Sequence, residues 1–297
     1  MSFSIAIIGA GAMGGAMARC LLAAGHALFV RDVLAEREQI LSSIGATVVT
    51  SPAQAAAHAR IIFIVVVDRD QIEEVLWGAP GKPLGLLGAL TAEHTVLFNS
   101  TIAPEDVQRF CEAVQATGAQ AVDAPISGGP VRAAAGTMSM MLAAPAPVLS
   151  GLETLLDQMT AKRFVISEHF GDAAKAKLTN NLMAGLNLLA GAEALAFGER
   201  LGLDAQQLLN LMSVSSGQSW MADDRLSRAL VNDFEPRAQT KVITKDVRLA
   251  NELALRHGLD LPLGKKAAAL YAEACAAGFD LEDDAAVLKH YRRRFQS

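Results

Sequence analysis

Cysteine, aromatic residues and net charge are all scarce in this sequence, and each scarcity excludes a class of protein. Its 297 residues include three cysteines, Cys20, Cys111 and Cys275, with no CxxC pair and no Cys/His spacing of the kind that binds zinc. We therefore expect no disulfide framework, no metal site and a reducing, cytoplasmic compartment. A formal charge of −5 supplies no overall field to attract nucleic acid or an anionic membrane, so neither is an expected partner.

Long uninterrupted hydrophobic runs are missing as well. A membrane-spanning helix needs about 20 apolar residues with few polar ones. The apolar stretch Ile5–Val30 is interrupted by Arg19 and is not preceded by the basic residues of a secretory signal. A second stretch, Leu182–Gly198, contains Asn187 and Glu193. The sequence therefore predicts neither a targeting segment nor a membrane span.

Aliphatic side chains and alanine must fill the interior instead. Hydrophobic residues make up 52% of the chain, charged residues 19% and aromatic residues 5%. This composition provides ample apolar material for large cores and differs from that of a disordered protein. At roughly 100–200 residues per domain, the length predicts two domains.

The first half of the chain alternates short β-branched runs with helical patterns. Ile61–Val67 is apolar at every position, as expected of a strand that is buried on both faces of a parallel sheet. Strand, helix and strand at this rhythm indicate βαβ units. Helices are predicted at Gly14–Ala24 and Val33–Ile44, and strands at Phe3–Ile8, His26–Arg31, Ala46–Val49, Ile61–Val67 and Thr95–Asn99, with others near Gln120–Val122, Ser139–Leu142 and Arg163–Ile166.

The second half is predicted to be helical. From Ala173 to Leu201 there is no proline and little β-branching, which predicts a helix of roughly 40 Å. Because this segment is apolar nearly all round beyond Asn181, we expect it to be centrally buried. The fold class is therefore an α/β domain with a parallel sheet at residues 1–167 and an all-α domain at residues 168–297. Further helices are predicted at Ala205–Ser213, Met221–Leu230, Val242–His257, Gly264–Ala277 and Asp283–Arg293.

A glycine-rich turn joins the first predicted strand to the first predicted helix. In Gly9-Ala-Gly11-Ala-Met-Gly14 the first glycine permits a tight turn, the second lets the backbone approach a pyrophosphate, and the third allows helix and strand to pack closely. The helix N-terminus then offers N–H groups and a positive dipole to phosphates. Asp32 ends the second strand 18 residues after Gly14, where a carboxylate can accept from ribose hydroxyls. The pattern predicts dinucleotide binding, with a plain glycine-rich turn as the alternative.

Two further segments contain candidate polar groups. Asp123-Ala-Pro-Ile-Ser127-Gly128-Gly129-Pro is either an ordinary Pro/Gly loop or a place where a hydroxyl and backbone N–H groups meet a carboxylate. Lys177 and Asn181 project from one face of the long helix, while Lys175 points elsewhere. Lys177 is either a solvated lysine or an acid–base group. Because the histidines form no ligand pair and no Gly-x-Ser-x-Gly motif is present, a dinucleotide enzyme with this sequence needs another proton carrier.

Four separated motifs, spread over essentially the whole chain, resemble the β-hydroxyacid dehydrogenase family. This family includes 3-hydroxyisobutyrate dehydrogenase and enzymes that are similar to 6-phosphogluconate dehydrogenase. The resemblance implies a Rossmann domain, a long interdomain helix and a helical domain, assembled as a homodimer or homotetramer. It also implies hydride transfer between a small hydroxy acid and NAD, with NADP less favoured and no metal. The motifs are Ile8–Gly14 with Met17-Ala18, Asp123–Gly129 with Gly136, Lys177-Leu-Thr-Asn180-Asn181, and Lys245-Asp246 with Leu249-Ala250.

The resemblance implies roles for individual residues. Lys177 is the catalytic acid–base, and Asn181 acts with it by positioning the lysine or the substrate. Asp246 supports the closure of Lys245 over the cofactor. The implied substrate-binding residues are Ser127, Gly128, Gly129 and Asn181. The implied cofactor-binding residues are Gly9, Gly11, Ala12, Met13, Gly14, Asp32, Val67, Asp68, Thr101 and Lys245.

Within the family, the chain is similar to the L-threonate dehydrogenase branch. Ala173 replaces a glycine that is often found four residues before the lysine, and Ala238 stands where many members have a phenylalanine near the nicotinamide. The missing ring favours a four-carbon polyhydroxy acid over 3-hydroxyisobutyrate, because a small methylated acid should profit from an apolar wall. The segments that resemble this branch are Gly171–Lys177, Ser219–Met221, Asp233–Ala238 and Glu282–Val287.

The tail of such a substrate is expected to extend toward the helical domain, either of the same chain or of a neighbouring subunit. The polar and aromatic groups expected there are Trp220, Asp223, Asp224 and Arg225. The alternatives are that Trp220 lies in the core and that the three charged residues form a solvated face. 3-Hydroxyisobutyrate dehydrogenase and tartronate semialdehyde reductase are the alternative activities. A dinucleotide-binding scaffold without chemistry is the alternative from another class, but such a protein should have lost Lys177.

Overall fold

The computed structural model describes residues 2–79, 81 and 84–296. The chain divides into two compact units, here called the sheet unit (Met1–Lys177) and the helical unit (Leu178–Ser297). Among the described residues, no helix is both long enough and apolar enough to cross a membrane.

The sheet unit alternates strands and helices, as the sequence predicts. Its elements are β1 (Ser4–Ile8), α1 (Ala12–Ala23), β2 (Ala27–Arg31), α2 (Ala35–Ser42), β3 (Thr47–Val48), α3 (Pro52–His58), β4 (Ile61–Ile64), α4 (Arg69–Trp77), β5 (Thr95–Phe98), α5 (Pro104–Gln115), β6 (Gln120–Asp123), β7 (Ile126–Ser127), α6 (Gly129–Ala134), β8 (Met138–Ala143), α7 (Ala146–Met159) and β9 (Thr160–Ser167).

The strand order reverses beside β1. The sheet runs β3-β2-β1-β4-β5-β6-β8-β7, with β9 also paired to β8. All pairs from β3 to β6 are parallel, whereas β8 is antiparallel to β6 and β7. Where the order of a parallel sheet reverses, the loops after the two strands diverge and leave a crevice at the carboxyl edge. The loops that follow β1 and β4 therefore border a ligand crevice.

The parallel strands are buried on both faces, which explains their continuous apolar sequences. Alternate side chains of β1 enter opposite cores, with Ile5 and Ile7 in one and Ala6 and Ile8 in the other. All four residues of β4 are buried. This strand ends at Ile64 rather than at the predicted Val67, because the chain has reached the carboxyl edge and Val67 is 48% exposed.

One long helix, α8 (Asp172–Arg200), begins in the sheet unit and continues through the helical unit. The expectation that it is buried all round is wrong, since Met183 is 58% and Phe197 57% exposed. Its buried side is closely packed: a Cβ at Gly185 would lie 2.7 Å from a Val247 methyl carbon. The remaining helices are α9 (Ala205–Ser213), α10 (Trp220–Leu230), α11 (Thr240–Arg256), α12 (Pro262–Ala274) and α13 (Val287–Arg294).

Candidate active site

The glycine turn after β1 has the geometry that a pyrophosphate needs. Gly9 has φ +98°, and a Cβ at Gly9 or Gly14 would overlap a backbone carbonyl oxygen. At Gly11, by contrast, the nearest atom to such a Cβ is an Arg37 nitrogen at 3.6 Å, so the backbone is open to a ligand. No side chain of the described residues caps α1, whose N-cap is Gly11. The N–H groups of its first turn are therefore suited to phosphate oxygens, and the turn fits a dinucleotide.

Asp32 lies at the end of β2 and shapes the loops around the turn. Its Oδ2 atom accepts from the Ala10 N–H at 2.6 Å, and its Oδ1 atom accepts from the Leu34 N–H at 2.8 Å. Two of its neighbours carry no signal in the sequence. Glu38 accepts from the Asp32 N–H at 2.8 Å, and Arg37 lies 3.6 Å from Asp32 Oδ2. A buried acidic group beside a half-exposed arginine is present at the corner where a ribose is expected.

The loops after β4 and β5 are joined by a serine. The Ser100 hydroxyl donates to the Val66 carbonyl oxygen at 2.6 Å and accepts from the Val66 N–H at 3.2 Å. This pairing holds the loop that contains Val67 beside the loop that contains Thr101. Asp68 caps α4 by accepting from the Gln71 N–H at 3.0 Å, a structural role that its sequence position did not suggest.

The segment with the candidate carboxylate-binding groups is held by a buried amide. Asn99 donates through Nδ2 to the Ala124 carbonyl oxygen at 2.7 Å. Downstream, Ser127 ends the short strand β7, and Gly128 and Gly129 have φ +125° and +73°. These left-handed conformations favour glycine and turn the backbone directly after the serine. The sequence motif is therefore a defined turn of the sheet unit, with the Ser127 side chain partly exposed.

The two lysines at the start of α8 have different environments. Lys177 is only 6% exposed. The Lys175 side chain is 52% exposed and pairs with Asp172 at 2.7 Å. Lys177 is therefore not the solvated lysine of the alternative interpretation, although Lys175 is.

Asn181, one helical turn beyond Lys177, belongs to a polar cluster within the helical unit. Its Nδ2 atom donates to Asp246 Oδ2 at 2.6 Å, and the Lys245 ammonium lies 3.1 Å from Asp246 Oδ1. Asn181 and Asp246 are both buried. The carboxylate between the amide and the ammonium fixes the orientation of the Asn181 side chain. The structure thus brings together two motifs that are 65 residues apart in sequence.

The residues expected to face the substrate tail form a network instead of an open wall. Arg225 donates through Nε to Asp284 at 2.6 Å and also pairs with Asp224. Asp223 accepts from the Ser213 hydroxyl at 2.7 Å. The alternative that Trp220 lies in the core is wrong, since its side chain is 48% exposed.

A buried carboxylate to which the sequence assigned no role lies beside the start of α8. Asp123 is 1% exposed, and its Oδ2 atom accepts from the backbone N–H groups of Gly171 at 2.9 Å and Ala174 at 3.1 Å. Burial raises the pKa of this carboxyl to about 6, although the backbone hydrogen bonds oppose the shift. Asp123 opens the Asp123–Gly129 motif, but no pattern in the sequence links it to a helix that begins 49 residues later.

Among the described residues, no group of three or more His, Cys, Asp or Glu side chains could hold a metal. The three cysteines are free thiols.

Comparisons with known proteins agree with the dinucleotide turn. Residues 4–167 match a family model described as the NAD binding domain of 6-phosphogluconate dehydrogenase. Residues 171–291 match one described as the NAD-binding region of NADP-dependent 3-hydroxyisobutyrate dehydrogenase.

Individual relatives are similar over almost their whole lengths. The L-threonate dehydrogenase of Cupriavidus necator is 33% identical over 289 residues, which are 97% of this chain and 96% of that protein. The 2-hydroxy-3-oxopropionate reductase of Escherichia coli is 30% identical over 285 residues, 96% of each chain. A crystal structure of 3-hydroxyisobutyrate dehydrogenase from Salmonella typhimurium superposes with a TM-score of 0.89 at 30% identity, covering 97% of this chain and 99% of the other.

The matches span both units and include every motif on which the resemblance rests. Together with a glycine turn that is open to phosphate and a buried lysine on the long helix, they show that the chain belongs to the β-hydroxyacid dehydrogenase family and is an NAD-binding oxidoreductase.

Proposed function

We propose that this protein oxidises a four-carbon polyhydroxy acid of the L-threonate type with NAD. The observation that carries the proposed chemistry is the burial of Lys177, in contrast to the exposed Lys175 two residues earlier. A lysine that serves only solubility would be solvated, because burial of an ammonium is costly unless it is used or paired. The named relatives act on hydroxy acids or their oxidised forms, and the first is an L-threonate dehydrogenase.

In this proposal the chain provides the proton transfer and the orientation of the substrate. The neutral amine of Lys177 accepts the hydroxyl proton of the reacting carbinol, and its ammonium form stabilises the developing oxyanion in the reverse direction. Asn181, oriented by Asp246, positions the substrate on the same face of the helix. When bound, NAD supplies the hydride acceptor.

The substrate carboxylate is assigned to the turn after β7. The Ser127 hydroxyl and the backbone N–H groups of Gly128 and Gly129 are donors of the kind that bind a carboxylate. The cofactor is assigned to the residues named by the resemblance: the glycine turn at Gly9–Gly14, Asp32, Val67, Asp68, Thr101 and Lys245.

Ala238 favours a polyhydroxy acid over the alternatives, 3-hydroxyisobutyrate and tartronate semialdehyde. With alanine at this position, the site lacks the aromatic ring that a small methylated acid would contact. The space that the ring would fill is available to a longer substrate. The charged trio at Asp223, Asp224 and Arg225 is used in protein contacts, so we assign the tail hydroxyls to groups other than these.

We further propose that residues 1–167 form the NAD-binding domain and residues 168–297 the substrate and dimerisation domain of a cytoplasmic homodimer or homotetramer. The free thiols of the three cysteines are consistent with a reducing compartment, and the exposed apolar side chains of Met183 and Phe197 provide surface for self-association.

A substrate screen tests the proposed function. Hydroxy acids of three to five carbons are incubated with the purified protein and NAD, and NADH absorbance is followed. We expect the highest kcat/KM for a four-carbon polyhydroxy acid. A panel in which no hydroxy acid is oxidised would reject the proposal.

A further inference from the structure

The carboxylate of Asp123 is in direct contact with the first turn of α8. A single oxygen atom, Oδ2, accepts from the N–H groups of Gly171 and Ala174. Ala174 lies less than one helical turn before Lys177. The Asp123 side chain therefore fixes the backbone from which the Lys177 side chain projects.

The residue that precedes α8 is also confined by the start of α5. Gly171 has φ +91°, and a Cβ there would lie 2.9 Å from the Pro104 carbonyl oxygen at the start of α5. The chain can enter α8 only through a glycine in the left-handed region. Asp123 at the end of β6 and Pro104 thus determine together where the helix starts.

The hydrogen bonds that the Asp123 carboxylate makes within the described part of the chain satisfy only one of its two oxygen atoms. Burial raises the pKa of Asp123 to about 6, so the ionised form is less favourable in the folded protein than in water. Its Oδ1 atom is buried and has no hydrogen-bond partner among the described residues. An asparagine could accept the same two N–H groups without a buried charge. What the carboxylate adds is a stronger, charge-assisted bond to the helix N-terminus.

We propose that Asp123 is a positioning residue for Lys177, which anchors the first turn of α8 and thereby sets the location of the lysine amine. This inference rests on the proposed role of Lys177 as the acid–base group. Asp123 itself contacts backbone N–H groups rather than reactants, and it acts through the helix.

The test compares Asp123→Ala, Asp123→Asn and the control Asp172→Ala. Asp172 is a carboxylate in the same helical turn, but it pairs with Lys175 and Ser167 and not with the helix backbone. For D123A we expect kcat to fall at least ~10-fold, because a displacement of about 1 Å can cost ~10²-fold in rate, while KM for NAD is unchanged. D123N should recover most of the loss, and D172A should behave like the wild type.

A kinetic isotope effect distinguishes mispositioning from partial unfolding. With substrate deuterated at the reacting carbon, a misplaced lysine makes the chemical step slower and raises the isotope effect on kcat. Partial unfolding lowers kcat in proportion to the folded fraction and leaves the isotope effect as it was. A wild-type kcat in D123A would overturn the proposal. An unchanged isotope effect would overturn it as well when product release partly limits wild-type turnover, because slower chemistry must then raise the effect.

Two measurements do not depend on the substrate and separate this inference from the proposed function. Amide hydrogen exchange of the peptide around residues 171–177 should accelerate in D123A and stay near the wild-type rate in D123N. Acylation of Lys177 by an amine-reactive reagent, read by mass spectrometry, should also accelerate in D123A, with Lys175 in the same protein as the internal reference. If no hydroxy acid is oxidised but Lys177 acylation accelerates as expected, the proposed substrate is wrong and the positioning role of Asp123 is supported. Equal rates of Lys177 acylation in D123A and the wild type would contradict the positioning role of Asp123.

Discussion

Gly11 in the sheet unit and Gly191 in the helical unit serve opposite purposes. In the sheet unit, Gly11 has open space around it, since the nearest atom to a Cβ added there would be an Arg37 nitrogen at 3.6 Å, and the space is suited to a ligand. In the helical unit, a Cβ at Gly191 would lie 2.7 Å from the Ala222 Cβ atom, and the space is filled by a neighbouring helix. The same residue type therefore indicates binding at Gly11 and helix packing at Gly191.

Buried carboxylates taken from the two units also show two kinds of stabilisation. In the sheet unit, Asp32 and Asp123 accept from backbone N–H groups of nearby loops. In the helical unit, the buried Arg225 side chain pairs with the buried Asp284 carboxylate. A backbone-bound carboxylate positions a loop, whereas a paired one depends on its partner, so substitutions at the two kinds of site should have different consequences.

The largest expected effect is on the stability of the helical unit. Arg225→Met leaves Asp284 buried without its partner, and breaking a buried pair in this way costs about 3–5 kcal/mol. Urea unfolding followed by circular dichroism measures the change. The double variant R225M/D284L should be more stable than R225M alone, because no unpaired charge remains. A single variant as stable as the wild type would show that the pair contributes nothing.

The next effect is on activity without a change in stability. Lys177→Met should lower kcat at least ~10²-fold, the scale of general acid–base catalysis, and leave NAD affinity and unfolding nearly unchanged. Lys175→Met, two residues away on the exposed side of the helix, is the matched control and should be mild. Steady-state kinetics measures kcat, and titration with NAD measures the affinity for the cofactor. Equal losses of kcat in the two variants would show that Lys177 has no special role.

The space around two helical glycines, Gly191 and Gly151, predicts that their substitution by alanine changes stability in opposite directions. Gly191→Ala should destabilise the protein by about 1–3 kcal/mol, because the added methyl group overlaps α10. Gly151→Ala lies in α7 with no atom within 4 Å of the added methyl group, and it should stabilise by up to about 1 kcal/mol through helix propensity. Thermal unfolding of both variants measures the difference. A stabilising G191A would contradict the close packing of α8 and α10.

The smallest effect concerns the choice of cofactor. Asp32 should repel a 2′-phosphate, so kcat/KM with NAD should exceed that with NADP about tenfold or more, equivalent to about 1.4 kcal/mol. Asp32→Asn should lower the ratio of kcat/KM with NAD to kcat/KM with NADP. The control Glu36→Gln removes an exposed carboxylate of α2 and should leave this ratio unchanged. A preference of the wild type for NADP would show that Arg37, rather than Asp32, determines the choice of cofactor.

Local patterns make most of the fold predictable from the sequence. The continuous apolar sequence of β4 requires burial on both faces, and the spacing of Gly9, Gly11 and Gly14 requires a turn between strand and helix. The turn's openness to phosphate follows from the same spacing. These features depend on neighbours in sequence, which is why the sequence contains their signal.

The features that could not be predicted depend on distant partners. Asp123 contacts residues that are 48 and 51 positions away, and Asp246 meets Asn181 across 65 positions. The apolar composition of α8 predicts burial all round, but it cannot specify which side neighbouring helices cover, and Met183 and Phe197 are exposed. Likewise, the size and apolar character of Trp220 favour a place in the core, yet its position at the start of α10 leaves half of it exposed.

The ratio of kcat/KM for L-threonate to kcat/KM for 3-hydroxyisobutyrate, both with NAD, tests the account most directly. The two acids differ in their tail hydroxyls and methyl group, so the ratio measures whether the site is built for a polyhydroxy acid. A site that hydrogen-bonds these hydroxyls leaves its own polar groups unpaired when they are missing, and we predict a ratio of at least ~10. A ratio of one or less would contradict the proposed substrate and favour 3-hydroxyisobutyrate.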